Sequence, residues 1–422
     1  MKRTRSLLLT IIIVCLFLLP CPASAAAEPV GHARELEGYA EGIVSYKKTS
    51  LGLAPEEPLF AGDFLNAAGS TAGDWYPFGM AALGIADDYA AYLAALRENV
   101  RTRYTEDGTL SPSKATEWHR IILAALACGA DPTRFCLSPD GEPVDLLADG
   151  VFYRENVGRQ GVNGYIWALI ALNTRDYAVP ADAVNTKETL LAALTEKQTA
   201  SGGWAAAGDA ADADLTAMAL IALAPLTKEN DLAAAAAAKA VECLSALQDA
   251  DACFSNGGLA NCESCAVTVT ALCCLGIDPA TDERFIKNGR SVLDALLGYR
   301  LPDGSFTHAF TADPENPSAV PTQPNDMSCQ QALYALAALS RLYTDGGSIF
   351  DFRGKPLSDA GWNTLPAAPS AVEKTARNLF GRLAAYFTDE KNRKTAVSAA
   401  LAVAVLAGGV VLILRAKRRK KK

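Results

Sequence analysis

The amino-acid sequence predicts an all-α fold built from one repeated helix pair, and three observations predict it. A phrase recurs five times between residues 104 and 306 at intervals of 42 to 52 residues: YTEDGTL (104–110), LLADGVF (146–152), QTASGGW (198–204), QDADACF (248–254, without the glycine) and RLPDGSF (300–306). An Ala/Leu-rich run follows each one, in order HRIILAALACG, YIWALIALN, TAMALIALA, AVTVTALCCLG and QQALYALAALSRL. The turn after the second helix recurs as GADP (129–132) and GIDP (276–279), where a glycine just past the helix and a proline beyond it are stop signals. A period of this size, read as helix, turn, helix, means a helical array in which each unit buries its apolar face against the next.

The unit extends to the front of the chain. WYPFGMAALG (75–84) matches the second helix of the later units and ELEGYAEGIVSYKK (35–48) supplies the helix before it, which makes six helix pairs. Gln198, Gly202 and Trp204 form the pattern Q-x-x-x-G-x-W, and on this pattern the chain resembles the squalene-cyclase and protein-prenyltransferase repeat family. The resemblance implies an (α/α)6 toroid over residues 35–345, with six inner and six outer helices around a cavity open at one end. Such a fold hosts many activities, so function has to be read from the site.

The two ends carry targeting signals. Lys2, Arg3 and Arg5 precede the apolar run Leu7 to Leu19 and the small-residue pattern Ala23-Ser24-Ala25, which together read as a signal peptide over 1–27. Residues 354–371 are rich in Pro, Gly and small residues and read as a linker, and 373–394 pattern as an amphipathic juxtamembrane helix. Ala396 to Leu414 is an uncharged, mostly apolar stretch of bilayer-spanning length, followed by the basic tail 415–422 that should stay cytoplasmic. The expected placement is a single-pass plasma-membrane protein with its helical domain outside. Removing the basic groups of 1–27 and 395–422 leaves 29 basic against 47 acidic residues, a formal charge of −18, which argues against nucleic acid or an anionic polymer as partner.

Aligning the second helices on their closing Leu places Asp74, His119, Asn163, Asp214, Ala266 and Gln330 at equivalent positions near six helix starts, with Trp75, Tyr76, Trp118, Tyr165, Trp167 and Tyr334 close by. In a closed toroid these would ring one mouth of the cavity and bind a small amphiphile through aromatic faces and a few polar groups. Helix N-termini converging there would favour a neutral or locally anionic group. The competing reading makes the polar residues ordinary N-caps and the aromatics core.

Catalysis finds less support. DADLTA (212–217) resembles the DxDDTA motif of squalene cyclases, with Asp212 and Asp214 on the first two acids and Leu215 in place of the third. A carboxyl that protonates an alkene must be kept protonated by its neighbours, so losing one acid weakens the match, and both residues read as caps. The zinc ligands of prenyltransferases have no counterpart among His32, His119 and His308, and the thioester pattern of complement fails because Cys265 stands where a Gln is required after Cys262. A zinc site on Cys253, Cys262 and Cys265, with His308, lacks the second ligand pair. Disulfides from Cys253 to Cys262 or Cys265, and from Cys128 to Cys136, suit an exported chain. Two irregular connections, 135–145 and 310–326, are candidate recognition loops. The expected function is binding of a small ligand or surface protein without catalysis and without a cofactor; the alternatives are an acid-initiated terpenoid-cyclase-like enzyme and a module that displays its loops.

Overall fold

Apolar residues recurring every three to four positions form eleven α-helices among the described residues, which in this computed structural model are 29–363 apart from 139 and 359. The expected signal peptide, amphipathic helix, membrane span and basic tail lie outside them. Among the described residues no helix is long and apolar enough to cross a membrane. The helices are α1 (Pro29–Ser50), α2 (Trp75–Ala82), α3 (Tyr89–Asp107), α4 (Thr116–Ala127), α5 (Val162–Asn173), α6 (Lys187–Glu196), α7 (Ala213–Leu223), α8 (Asp231–Leu247), α9 (Cys262–Cys274), α10 (Val292–Gly298) and α11 (Asp326–Tyr343). Three two-stranded hairpins, Cys136–Leu137 with Pro143–Val144, Ser255–Asn256 with Leu259–Ala260, and Ile286–Lys287 with Arg290–Ser291, tie down the connections.

Six of the helices pack in a closed order: α2 on α4, α4 on α5, α5 on α7, α7 on α9, α9 on α11, and α11 back on α2. These six are apolar on nearly every face, as helices with neighbours all round must be. Four others lie against them singly, α1 on α11, α6 on α5, α8 on α7 and α10 on α9, and α3 packs on the first hairpin. The third pair has no long partner helix; a hairpin and one π turn, Ala148–Phe152, stand in its place.

The repeated phrase is a turn with a mechanism. In QTASGGW, Thr199 N–H donates to Gly203 O at 2.8 Å, and in RLPDGSF Leu301 N–H donates to Ser305 O at 2.8 Å. Gly202 and Gly304 have φ of +93° and +89°, and a Cβ there would stand 2.7 Å from Lys239 O of α8 and 2.8 Å from Gly42 O of α1. Only glycine meets both demands at once, a left-handed backbone and close contact with the backbone of another helix. The copy without glycine holds Ala252 at φ +64°. Gln198 and Gln248 pin their turns alike, each donating its amide to a turn carbonyl and to one beyond: Gly202 O and Ala236 O, and Ala252 O and Phe285 O. The large apolar residue then accepts from the cap of the next helix, Trp204 O from Asp212 N, Phe254 O from Asn261 N and Phe306 O from Asn325 N. The expected stops at GADP and GIDP also form: Gly129 and Gly276 are left-handed, with Ala130 N–H donating to Ala125 O and Ile277 N–H to Leu272 O.

After α11 the chain returns along the C-terminal ends of α4 and α5. Phe352 N–H donates to Thr174 O at 2.9 Å and Ser358 N–H to Gly129 O at 2.7 Å. Ala360 O accepts from Arg97, and Arg134 lies 5.7 Å over the Trp362 ring. Ser358, Ala360 and Trp362 of the expected linker are thus docked rather than free, because they carry their own backbone and aromatic contacts.

Candidate functional site

The caps set the register of the helices that follow them. Asp212, Asn261 and Asn325 cap α7, α9 and α11, each accepting from the N–H three residues on, those of Leu215, Ser264 and Ser328, at 2.8, 2.8 and 3.1 Å. Counted from the caps, Asn163, Asp214 and Glu263 share one level, two residues inside the helix. Alignment on the closing Leu puts Ala266 and Gln330 at that level instead, one turn too deep, because α7, α9 and α11 differ in length at 11, 13 and 18 residues. The expectation that Asp214 is a cap is corrected in the same way: Asp212 caps, and Asp214 occupies the first turn.

Positions three and four apart share a helix face, so the residues a turn below this level are Trp167 under Asn163 and Met218 under Asp214. Trp75 bridges across to them. Its ring centroid is 5.5 Å from that of Trp167 and 5.7 Å from that of Tyr334, although α2, α5 and α11 are not mutual neighbours in sequence. Phe78 continues the cluster downward, 6.2 Å from Tyr334 and 5.1 Å from Phe350 of the returning segment. Asn163, Trp75, Trp167, Asp214 and Met218 are all half-buried while their flanking residues are buried, so one end of this cluster is open to solvent.

Several buried polar atoms on these helices lack protein partners. Asp214 Oδ2 accepts from Asn256 Nδ2 at 2.7 Å, but its Oδ1 has no hydrogen bond, and neither do Asn163 Oδ1, Gln330 Oε1 or Ser264 Oγ. Burial pushes the Asp214 carboxyl above the usual range, and Asp212 and Glu263 add to the rise; the Ser264 hydroxyl and Asn256 oppose it. Ser264 is near enough to exert that effect yet outside hydrogen-bond geometry. Gln330 is 2% exposed, and its Nε2 donates to Ala72 O and Asp326 Oδ2.

Glu263 is fully engaged. Its Oε1 accepts from Ser328 Oγ at 2.7 Å and its Oε2 stands 2.7 Å from His308 Nδ1, whose other nitrogen stands 3.0 Å from Asp313. The hydrogen bond to Glu263, reinforced by that to Asp313, holds the His308 ring above its ordinary pKa, and the ring set between the two carboxylates ties the loop 310–326 to α9. Sequence reading passed over Glu263; aligning the caps, Asp212 with Asn261, would have found it.

The remaining ring residues are elsewhere. Asp74, 1% exposed, accepts from Arg120 Nε at 2.8 Å, Tyr92 OH at 2.7 Å and Gly69 N at 2.8 Å, an internal clamp. Tyr76 is buried and donates to Asp326. His119 is buried with Nε2 3.0 Å from Gly150 O, and burial holds its pKa down to about 4, so it is neutral. Tyr165, two residues from both Asn163 and Trp167, lies on the opposite face of α5 and packs its hydroxyl against Gly158. Trp118 turns outward as well, donating to Tyr104 OH at 3.0 Å beneath the Arg154 guanidinium, and lines a separate polar cleft of about 480 Å³ with Asp149 and Arg159.

The nine cysteines among the described residues are unbonded, so neither expected disulfide is present. Cys128 follows α4 and is partly buried, and Cys136 begins the first hairpin and is buried. Cys253 and Cys265 do meet: a hydrogen bond from the buried Cys265 thiol, supported by Tyr299, holds half-buried Cys253 down to about 7. No set of three His, Cys, Asp or Glu side chains suited to a metal ion occurs among the described residues, and the zinc candidates divide, with Cys262 raised by burial beside Glu263 and Cys329. Brief iodoacetamide treatment near neutral pH is expected to label Cys253 before the other cysteines, because the thiolate is the nucleophile. Peptide mass spectrometry checks it; equal labelling of Cys128 would refute it.

Comparison of the chain with protein-family models and with curated proteins returns no match.

Proposed function

We propose that the chain is an α/α toroid of the squalene-cyclase and prenyltransferase type, exported and held at the plasma membrane by 396–414, whose lumen binds a small amphiphile without transforming it. One observation carries the reading: Trp75, Trp167 and Tyr334, from three helices far apart in sequence, meet in a cluster half-buried at Trp75 and Trp167, while Asn163 and Asp214, a turn above Trp167 and Met218, each keep a buried oxygen without a partner. Aromatic surface below a few unsatisfied polar groups is the usual make-up of a small-molecule site. The closed packing order of six helices supports the toroid. Native mass spectrometry of the full-length chain purified from its own cells tests it. A bound metabolite that Trp167→Ala releases, with circular dichroism unchanged, is the expected result; an unchanged complex places binding elsewhere, first at the Trp118 cleft, and no complex at all favours the display role.

A second reading has one observation of its own. Asp214 keeps an oxygen without a partner and a carboxyl that burial holds toward the protonated form, beside aromatic faces able to stabilise a carbocation. Leu215 still replaces the third acid. Turnover of a linear polyprenoid to a cyclic product, abolished in Asp214→Asn, would establish this acid-initiated chemistry over simple binding.

A further inference from the structure

The polar cleft beside Trp118, of about 480 Å³, is built apart from the cluster of Trp75, Trp167 and Tyr334 and takes in two arginines, Arg154 and Arg159. We propose that this cleft binds a small acidic sugar, a sugar acid or a sugar phosphate, with its oxyanion on the two guanidiniums and its hydroxyls against the rest of the wall. The site does not depend on the lumen reading.

Local contacts bring the arginines together. Arg154 Nη2 donates to Ser111 O at 2.9 Å and Arg159 Nη1 to Pro112 O at 3.4 Å, so the two guanidiniums are anchored on consecutive carbonyls. Arg154 also lies 4.3 Å over the Trp118 ring, whose own N–H is spent on Tyr104 OH. A guanidinium held by a ring and one hydrogen bond keeps its remaining N–H edge in a fixed place, as planar recognition of an oxyanion requires. That edge is within reach of a ligand. Arg154 Nε and Nη1 have no protein partner and, unlike the unpartnered oxygens of Asn163 and Asp214, are open to solvent, and Arg159 is exposed.

The positive charge is not neutralised from within the cleft. Neither arginine forms an ion pair among the described residues. Of the two carboxyls in the wall, Asp149 accepts from Tyr104 OH at 2.5 Å and Glu155 is exposed. Burial holds the Arg154 guanidinium below its usual pKa and Arg159 adds to this, with Tyr104 and Asp149 opposing, so a bound anion offsets both costs. The remaining wall is polar, with Thr109, Ser113 and Asn156, and suits a body that carries hydroxyls rather than a hydrocarbon chain.

The test uses the full-length chain and four probes: glucuronate, glucose 6-phosphate, glucose and hexanoate. Calorimetry reads affinity. At least one of the two acids is expected to bind about tenfold or more tighter than glucose, the worth of one hydrogen bond to a charged group, and the tighter of them names the head group. Hexanoate, which has the charge without the hydroxyls, should bind more weakly than glucuronate. In Arg159→Gln the preference for the acid should fall about threefold or more while glucose affinity and circular dichroism hold, because the exposed side chain loses only its charge. Trp167→Ala should leave all four affinities unchanged, which separates this cleft from the lumen. Acids no tighter than glucose, hexanoate equal to glucuronate, a preference that survives intact in Arg159→Gln, or no binding by any probe would each overturn the assignment, and none of these bears on the lumen.

Discussion

Replacing Arg120 with methionine is expected to lower the stability of the helical domain by about 3 to 5 kcal/mol, because it strands the Asp74 carboxylate in the core. Asp74 has no exposed side-chain surface and Arg120 very little. The guanidinium does three things at once: Nε donates to Asp74 at 2.8 Å, Nη2 to Gly69 O at 2.9 Å, and Nη1 to Glu117 at 2.8 Å. Since Asp74 also accepts from Tyr92 of α3, the pair joins α2, α3 and α4 through a single buried centre. Removing one charge leaves the other without water and without a counter-ion, which costs more than the pair contributes. The double variant Asp74→Leu with Arg120→Met should recover most of the loss, because no uncompensated charge remains. Urea titration of the three proteins checks both statements, and a single variant within about 1 kcal/mol of the parent would show that water reaches the site.

Trp204→Ala is expected to cost about 3 to 5 kcal/mol as well, by a different route. Trp204 is fully buried, and its indole N–H donates to Leu194 O at 2.7 Å, so truncation opens a cavity and orphans a carbonyl together. The side chain also sits where the turn hands over to the next helix: its backbone N–H donates to Thr216 Oγ1 at 3.0 Å and its carbonyl accepts from Asp212. Phe254 and Phe306 hold the corresponding place in the next two units, so Trp204→Phe should cost clearly less than Trp204→Ala. Thermal denaturation followed by circular dichroism distinguishes them. Equal losses would mean that the indole hydrogen bond, not the ring, holds the turn.

Much of the helical layout was legible because its signals are local. The turn glycines, the stops at GADP and GIDP, and the large apolar residue at the end of each phrase carry signals within a few residues of sequence, and the period recovers them. The aromatic cluster was legible only in part. Trp75 meets Trp167 and Tyr334, and Asn163 and Asp214 share one level on their helices, whereas Trp118, His119 and Tyr165 point elsewhere and Asp74 is consumed by Arg120. The error has a definite origin. Helices of unequal length were aligned at their ends, and a shift of one to three residues rotates a side chain to another face.

What the sequence by itself determined is where helices begin and end and what each turn is made of. Capping, left-handed glycine and proline act through the backbone they belong to, over three or four residues, so no distant partner is needed to read them. What only the tertiary structure decided is which face each helix turns inward and which polar groups find partners. Arg120 reaches Asp74 across 46 residues, His308 bridges Glu263 and Asp313, and Gly304 presses on Gly42 of the first helix. A helix's rotation about its own axis is fixed by the neighbours that bury it. Those neighbours are brought by the packing of the helices, so the buried oxygens left without partners become visible only once the other polar groups have taken theirs.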